Sequence, residues 1–455
     1  MHNIEKWSLH YMLLKTASGF WHNRIYYRRV TAINYDKLPA DEPLIFATVH
    51  QNALMDALAV LYTLKGQPVF LARSDIFRKS LVARILYFIK ILPIFRIRDG
   101  ISALKQNDAT FNKTIDVLKN KNGLVILPEG FHEGKRRLKP LKKGIARIGF
   151  QAEEASDFSL GIKIVPVGLD YSNYFNFRSE LFLNFGEPVE LSDYFNLYRE
   201  NPARGMNKLL EELSKRLRKQ MIHIESKGQY EVIDLLREIY RTRMVKLMSF
   251  STPRYPYRFF ADQKLISILN QVQKEQPSKI EELSPKVRSM TEGVRSLRFR
   301  YWVLQKDLHS FPVLILKSLF MVFSFPVYIW GVIHNYLPYK IPVWLIRPIK
   351  DVMFHSSFKF VISFLVFQIY YLLLFIIILI FADPLWLKLA YIASVPVSGL
   401  FAFHYYLGVK KIIAAWRYNF MVLARNRKLE TVKKMYDEII GITDRIVKPF
   451  LTPEN

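Results

Sequence analysis

Short apolar runs alternate with segments of helical spacing between residues 30 and 190. Such runs favour buried strands, and strands that alternate with helices usually form mostly parallel sheets. The candidate strands are 44–49, 69–72, 92–97, 124–127, 164–169 and 181–185. We therefore predict an α/β domain at residues 30–204, with a mostly parallel central sheet flanked by helices.

The segments on either side of this domain have different patterns. Residues 1–29 mix aromatic and basic side chains, which predicts amphipathic helices that lie on a membrane or pack on the core. Residues 205–310 have helical periodicity with dense charge, and their composition presents no catalytic grouping. We predict a charged helical insert there.

The apolar stretches of residues 311–410 predict a membrane region. Residues 360–382 contain no charge and are long enough to span a bilayer, and a second apolar stretch follows Asp383-Pro384. We predict a C-terminal transmembrane hairpin at about 360–408, with 311–337 spanning or re-entrant. The basic stretch 411–455 is then a helical tail. If the α/β domain and the tail both lie on the cytoplasmic face, the number of spans is even.

The formal net charge of +27 predicts an acidic partner, and the absence of cysteine excludes disulfides and thiol catalysis. An anionic phospholipid membrane and phosphorylated substrates both fit this charge. We predict no nucleic-acid partner, since no helix-turn-helix, zinc or RNA-recognition pattern is present. The histidines are scattered without paired ligand spacing, so we predict no metal site.

His50 and Asp56 are the first candidates for chemistry. His50 follows the predicted strand 44–49, and Asp56 lies near the start of a helical segment. Ligands of open α/β sheets usually bind at the carboxyl ends of strands, and a histidine held by a carboxylate can remove a proton from a hydroxyl. Taken alone, the pair favours the plainer interpretation, an ordinary strand-end histidine and a helix-start aspartate.

Two further strand ends supply groups for phosphate binding. Arg96 and Arg98 are one residue apart, so in a strand they point to the same face, and guanidinium groups bind phosphate. Glu129 and Gly130 follow the run 124–127 within a Pro-Glu-Gly turn. A basic stretch comes next, from which we select Lys135 and Arg136 as phosphate ligands. The predicted strand 164–169 contains Pro166 and Val167, which we assign to the wall of an acyl groove.

These four blocks, in this order, resemble the glycerophospholipid acyltransferase superfamily, which includes glycerol-3-phosphate and lysophosphatidate acyltransferases. Most members have one residue fewer between the histidine and the aspartate. The longer interval between His50 and Asp56 resembles fungal-type glycerol-3-phosphate/dihydroxyacetone-phosphate acyltransferases. The resemblance covers residues 30–190. One departure is the replacement of the family's Thr-Arg-Ser by Phe131-His132-Glu133, so that Lys135, Arg136 or Arg137 would have to supply its arginine.

The resemblance implies a membrane-bound enzyme that transfers a fatty acyl group from a thioester to a glycerol-phosphate hydroxyl in phospholipid biosynthesis. His50 would be the general base, Asp56 its orienting carboxylate, and Arg96 the phosphate-binding arginine. Acyl-coenzyme A or an acyl carrier protein would be the co-substrate, with no resident cofactor. Glycerol 3-phosphate is the preferred acceptor; lysophosphatidate and dihydroxyacetone phosphate stay open. A non-catalytic, membrane-anchored protein that binds acidic lipids is the alternative of another class.

Overall fold

The computed structural model describes residues 3–95 and 107–451. Their contacts divide the chain into two compact units. Unit 1 consists of Met1–His223, Arg254–Phe259 and Ile349–Phe360, and unit 2 of Ile224–Pro253, Phe260–Pro348 and Val361–Asn455. The chain therefore returns twice to unit 1, at segments that lie far outside the predicted α/β domain of residues 30–204.

Within the described residues, eight strands of unit 1 form one sheet in the order β1-β7-β6-β2-β5-β3-β4, with β8 beside β6. All pairs are parallel except β6 with β7 and β6 with β8. This confirms the predicted α/β class and the mostly parallel sheet. The strands are β1 Arg29–Ile33, β2 Leu44–Thr48, β3 Val69–Arg73, β4 Ile91–Ile94, β5 Leu124–Ile126, β6 Lys163–Tyr171, β7 Glu180–Phe185 and β8 Val189–Glu190.

Helices cover this sheet because its central strands are apolar on both faces. Every residue of β2 is buried, as expected for a parallel strand with helices above and below. The helices of unit 1 are α1 Leu9–Phe20, α2 Ala53–Leu61, α3 Ser80–Phe88, α4 Asn107–Lys119, α5 Gly144–Glu154, α6 Phe195–Glu200 and α7 Pro202–Gln220. Helix α1 continues into a π-helical segment, Trp21–Tyr26, and its Tyr11 is buried while Leu13 is exposed.

Most of the remaining chain is helical and belongs to unit 2. The first turns of α9 and α13 belong to unit 1. The helices are α8 Tyr230–Leu247, α9 Tyr257–Glu275, α10 Pro277–Ser296, α11 Phe311–Phe323, α12 Phe325–Leu345, α13 His355–Phe381, α14 Leu385–Leu423 and α15 Arg427–Val447.

Two helical stretches, Val352–Phe381 and Leu385–Leu423, are long and apolar enough to cross a membrane. A third candidate is the pair α11 and α12, which is bent by 54° and is either a broken span or a re-entrant segment. Helix α14 extends past the predicted boundary at residue 410, through Lys410 and Lys411 to Leu423, so no helix end marks the start of the predicted basic tail. Basic residues do not end a helix, and α14 ends only before Arg425, whose φ is 48°.

Helix α14 makes more contacts with α12 than with its predicted hairpin partner α13. The amide of Asn335 on α12 donates a 3.0 Å hydrogen bond to the carbonyl of Val395 on α14. A side chain at Gly331 would meet the carbonyl of Ser398 at 2.2 Å, so the glycine permits this close approach. The hydroxyl of Tyr371 on α13 donates to Asn335 as well, at 2.6 Å.

Asp262 provides a test of stability in unit 2. It is fully buried and accepts hydrogen bonds from Arg237 (2.9 Å) and Arg241 (2.8 Å). We expect Asp262→Asn to lower the free energy of unfolding by about 3–5 kcal/mol, because Arg237 and Arg241 lose the buried counter-charge that they share and only Asp234 remains beside Arg237. Thermal unfolding in detergent measures the effect. Glu438→Gln, which removes an exposed pair with Lys286, should leave the melting temperature nearly unchanged, and equal shifts would contradict the prediction.

Candidate active site

The structure brings His50 and Asp56 together at the carboxyl end of β2. His50 follows the strand, and Asp56 lies in the first turn of α2. His50 Nδ1 is 3.0 Å from Asp56 Oδ2. Because Nδ1 faces the carboxylate, Nε2 is the ring nitrogen directed away from it. The His50 side chain is 15% exposed and the Asp56 side chain 0%, so the pair consists of an accessible imidazole on a buried carboxylate.

The loop between the two residues accommodates the long interval by folding around the carboxylate. Asp56 Oδ2 accepts hydrogen bonds from the backbone N–H groups of Gln51 (2.7 Å) and Asn52 (2.6 Å) as well as from His50. The other oxygen, Oδ1, accepts a 2.7 Å hydrogen bond from the hydroxyl of Tyr171. Both carboxylate oxygens are therefore held, and N–H groups at a helix start stabilise the negative charge.

Glu129 fixes the backbone of His50 from the neighbouring strand. It follows β5, which pairs with β2, and its Oε1 accepts a 2.6 Å hydrogen bond from the His50 N–H. Its Oε2 accepts a 2.9 Å hydrogen bond from the Lys139 N–H. Burial raises the pKa of Glu129 to about 7, although both N–H donors favour the charged form. Glu129 thus acts as a clamp on two loops, a role that its predicted place among the phosphate-binding residues does not indicate.

Glu129→Gln should loosen this clamp. A glutamine side chain can accept from only one of the two N–H groups, and its amide N–H₂ then faces the other. We expect a loss of about 1–3 kcal/mol in the free energy of unfolding and a lower kcat, because His50 is displaced. Thermal unfolding and an acyl-transfer assay measure the two effects. Glu133→Gln is the matched control, since that carboxylate is partly exposed among cations, and equal behaviour of both variants would contradict the clamp.

The predicted phosphate ligands have different surroundings. Arg136 is buried, where its Nε donates to Asp170 (3.1 Å) and its Nη2 to the carbonyl of Tyr171 (2.9 Å). Those contacts favour a structural role for Arg136 over the predicted role as a phosphate ligand. Lys135 is 44% exposed, with its Nζ 3.4 Å from Glu133. Gly130 has a φ of 76°, which favours glycine at the turn. Arg96 and Arg98 lie outside the described residues.

Pro166 and Val167 are core residues. They lie in β6 opposite Ala47 and Thr48 of β2, and both side chains are buried. A groove for an acyl chain needs an accessible wall, so their position does not support the predicted groove. Among the described residues, no grouping of three or more histidine, cysteine, aspartate and glutamate side chains could hold a metal ion.

A second imidazole, His132, lies beside the first. The ring centroids of His50 and His132 are 5.3 Å apart in an edge-to-face arrangement, and His132 Nε2 is 3.4 Å from Asp351 Oδ2. Burial and the neighbouring His50 lower the pKa of His132, while Asp351 opposes this shift. His132 was noted in the sequence only as a departure from the Thr-Arg-Ser pattern. No local signal links it to Asp351, since the contact joins distant parts of the chain.

The segment Ile349–Phe360, which includes the start of α13, supports the loop between His50 and Asp56 through Tyr174. Tyr174 donates from its hydroxyl to Gln51 Oε1 (2.8 Å), and its carbonyl accepts from the Asn52 amide (3.1 Å). The same carbonyl accepts a hydrogen bond from the hydroxyl of Ser356. Residues at the start of a candidate membrane span therefore belong to the support of the His50 loop.

Comparison with known proteins assigns the segment that contains this site to a protein family. Residues 29–170 match the family model described as Acyltransferase, a segment that contains both His50 and Asp56. The chain contains an acyltransferase-family domain. The predicted resemblance to the glycerophospholipid acyltransferase superfamily is confirmed for this domain.

Two curated relatives of the acyltransferase domain come from Saccharomyces cerevisiae. Glycerol-3-phosphate O-acyltransferase 2 is 30% identical over 142 residues, and glycerol-3-phosphate O-acyltransferase 1 is 26% identical over 145 residues. Each match covers 31% of this chain and 19% of the relative, so the chain matches about a fifth of their length. The 1-acyl-sn-glycerophosphate acyltransferase PlsC of Thermotoga maritima overlaps at a TM-score of 0.32 and 18% identity, over 45% of this chain and 77% of that one. That overlap is too loose to bear on the fold.

Proposed function

We propose that this protein is a membrane-bound acyltransferase that transfers a fatty acyl group from a thioester to a hydroxyl of glycerol 3-phosphate. The observation that carries the proposal is the 3.0 Å contact of His50 Nδ1 with the buried Asp56 carboxylate inside an acyltransferase-family domain. The names of the two yeast relatives favour glycerol 3-phosphate as the acceptor.

The two residues act as a general base and its orienting group. His50 Nε2 removes the proton from the acceptor hydroxyl while its oxygen attacks the thioester carbonyl. Asp56 holds the tautomer with the proton on Nδ1 and stabilises the imidazolium that forms. The tetrahedral intermediate then expels the thiolate, which takes the proton from the imidazolium. A C–O ester bond replaces the C–S bond, and His50 returns to its neutral state.

The acceptor phosphate is bound by cations of the acyltransferase domain. We assign this role to Arg96 and Arg98, which follow β4, and to the exposed Lys135. Binding the phosphate fixes the hydroxyl relative to His50, and such positioning contributes up to about 7–11 kcal/mol in well-oriented model systems. The reaction requires no resident cofactor, and the acyl donor is acyl-coenzyme A or an acyl carrier protein.

A membrane location suits the lipid substrate and product. Burying an acyl chain is favourable by about 0.8 kcal/mol per CH₂, so such molecules stay in or near a bilayer. The two helices long enough to cross a membrane and the net charge of +27 support an anionic phospholipid membrane as the partner. We place the acyltransferase domain on the cytoplasmic face.

The test is an acyl-transfer assay on the full chain in detergent or nanodiscs. Two donors, acyl-coenzyme A and acyl carrier protein thioester, are crossed with glycerol 3-phosphate, dihydroxyacetone phosphate and lysophosphatidate. We expect the highest kcat/KM with glycerol 3-phosphate. A higher value with either other acceptor would reassign the substrate. Folded protein that binds anionic vesicles yet transfers no acyl group in any combination would overturn the proposal and favour a lipid-binding anchor.

A further inference from the structure

Helix α3, Ser80–Phe88, is apolar but has no buried residue along its fully described length. Leu81 is 67% exposed and Ile85 51% exposed. The preceding 3₁₀ turn adds an apolar side chain, Ile76, which is 44% exposed. A helix with this composition is normally covered, and contiguous exposed apolar surface marks an interaction site. The exposed apolar side chains of this surface are Ile76, Leu81, Val82, Ile85 and Phe88.

The charged residues of the segment that carries these side chains, 76–90, are all basic, and Asp75 just before it is paired with Arg73. Arg78, Lys79 and Arg84 are exposed, and no acidic residue occurs between Ile76 and Lys90 in the sequence. Apolar side chains next to exposed cations are the composition of helices that lie in the interface of an anionic bilayer. A protein partner would have to be both apolar and acidic, whereas an anionic bilayer has both properties, and the chain contains helices long enough to cross one.

The amino-terminal segment extends the same kind of surface. Lys90, just after α3, donates from its Nζ to the carbonyls of Ile4 (2.7 Å) and Lys6 (2.6 Å). Trp7, the residue after Lys6, is 65% exposed, and Leu9, the first residue of helix α1, is 55% exposed. The end of α3 therefore lies beside the start of a second segment with exposed apolar side chains.

We propose that α3 is a membrane-contact helix of unit 1, with Leu81, Ile85 and Phe88 among the lipid acyl chains. Arg78, Lys79 and Arg84 bind the phosphates of anionic headgroups. This rests on the proposed function only in taking the protein to be a membrane enzyme. It adds a consequence for the site: β4, which follows α3 and precedes Arg96, starts at the bilayer surface where the acylated product must leave.

The absence of cysteine makes a direct test possible. Ile85→Cys and Lys208→Cys give one labelling position each, on α3 and on the exposed side of α7, whose Lys208 side chain is 59% exposed. Each variant, labelled with an environment-sensitive fluorophore, is reconstituted into anionic nanodiscs. Quenching is measured with lipids carrying a nitroxide on the acyl chain and with aqueous iodide. We expect the label at 85 to be quenched by the lipid nitroxide and shielded from iodide, and the label at 208 to show the reverse.

The outcomes separate the alternatives. Iodide quenching at position 85 equal to that at 208 would overturn the proposal. So would shielding from both quenchers, which would indicate contact with protein. Adding Arg84→Gln to the Ile85→Cys variant should increase iodide quenching in anionic nanodiscs and change it little in neutral ones. The same labelled samples are assayed for acyl transfer, so a lipid-quenched label with no activity would refute the proposed function and leave the membrane contact standing.

Discussion

Replacing His50 with alanine is expected to lower kcat/KM for acyl transfer by about 10²–10⁴-fold. The reason is that Nε2, the ring nitrogen directed away from the buried carboxylate, is the proposed base. The fold should persist, because the side chain is partly exposed and its backbone N–H still donates to Glu129. Steady-state kinetics with the best donor and acceptor give the effect, and thermal unfolding checks the fold.

Two other histidines make this prediction specific. His10→Ala, on the exposed side of α1, should leave the rate unchanged. His132→Ala should reduce the rate by less than His50→Ala, because the His132 ring contacts the base edge-on and faces Asp351 rather than Asp56. If His132→Ala were the more severe variant, the base would be His132, and His50 would serve to position it.

The parts of the fold that could be predicted are those whose apolar pattern is uninterrupted. Strands such as β2 and β6 are buried on both faces, and most of their length is an unbroken apolar run, at 44–47 and 164–169. Strand β1 was missed because it lies at the edge of the sheet with Arg29 and Ala32 exposed. The return of Ile349–Phe360 to unit 1 could not be predicted, since nothing in that short segment distinguishes it from a linker before a membrane span.

In the candidate site, too, some features could be predicted from the sequence and others could not. His50 and Asp56 can be recognised in the sequence because one follows a strand and the other begins the next helix, so a single short loop joins them. The sequence could not show that Arg136 pairs with Asp170. An arginine that binds phosphate and one that forms an internal ion pair look alike in a basic stretch. The sequence places Glu129 at a strand end, but the structure shows it bound to two backbone N–H groups, which carry no sequence signal.

Asp56→Asn is the second change with a large expected effect, on the order of 10²–10⁴-fold in kcat with little change in KM. Three donors converge on Oδ2, from His50, Gln51 and Asn52, so the amide oxygen must occupy that position. The amide N–H₂ then faces Tyr171, whose hydroxyl can turn to accept. The loop is therefore preserved while the negative charge that stabilises the imidazolium is lost. Steady-state kinetics and thermal unfolding in detergent together distinguish loss of the negative charge from disruption of the loop.

Tyr171→Phe is the matched control for this carboxylate. It leaves the charge and all three donors to Oδ2 in place and removes only the hydroxyl that donates to Oδ1. The buried oxygen loses a partner, so we expect about 1–3 kcal/mol less stability but a much smaller loss of kcat than in Asp56→Asn. The two variants should thus show opposite effects: Asp56→Asn mainly lowers kcat, and Tyr171→Phe mainly lowers stability. Parallel losses of rate and stability in both would mean that Asp56 acts only by holding the loop, and His50 would then work without a charged partner.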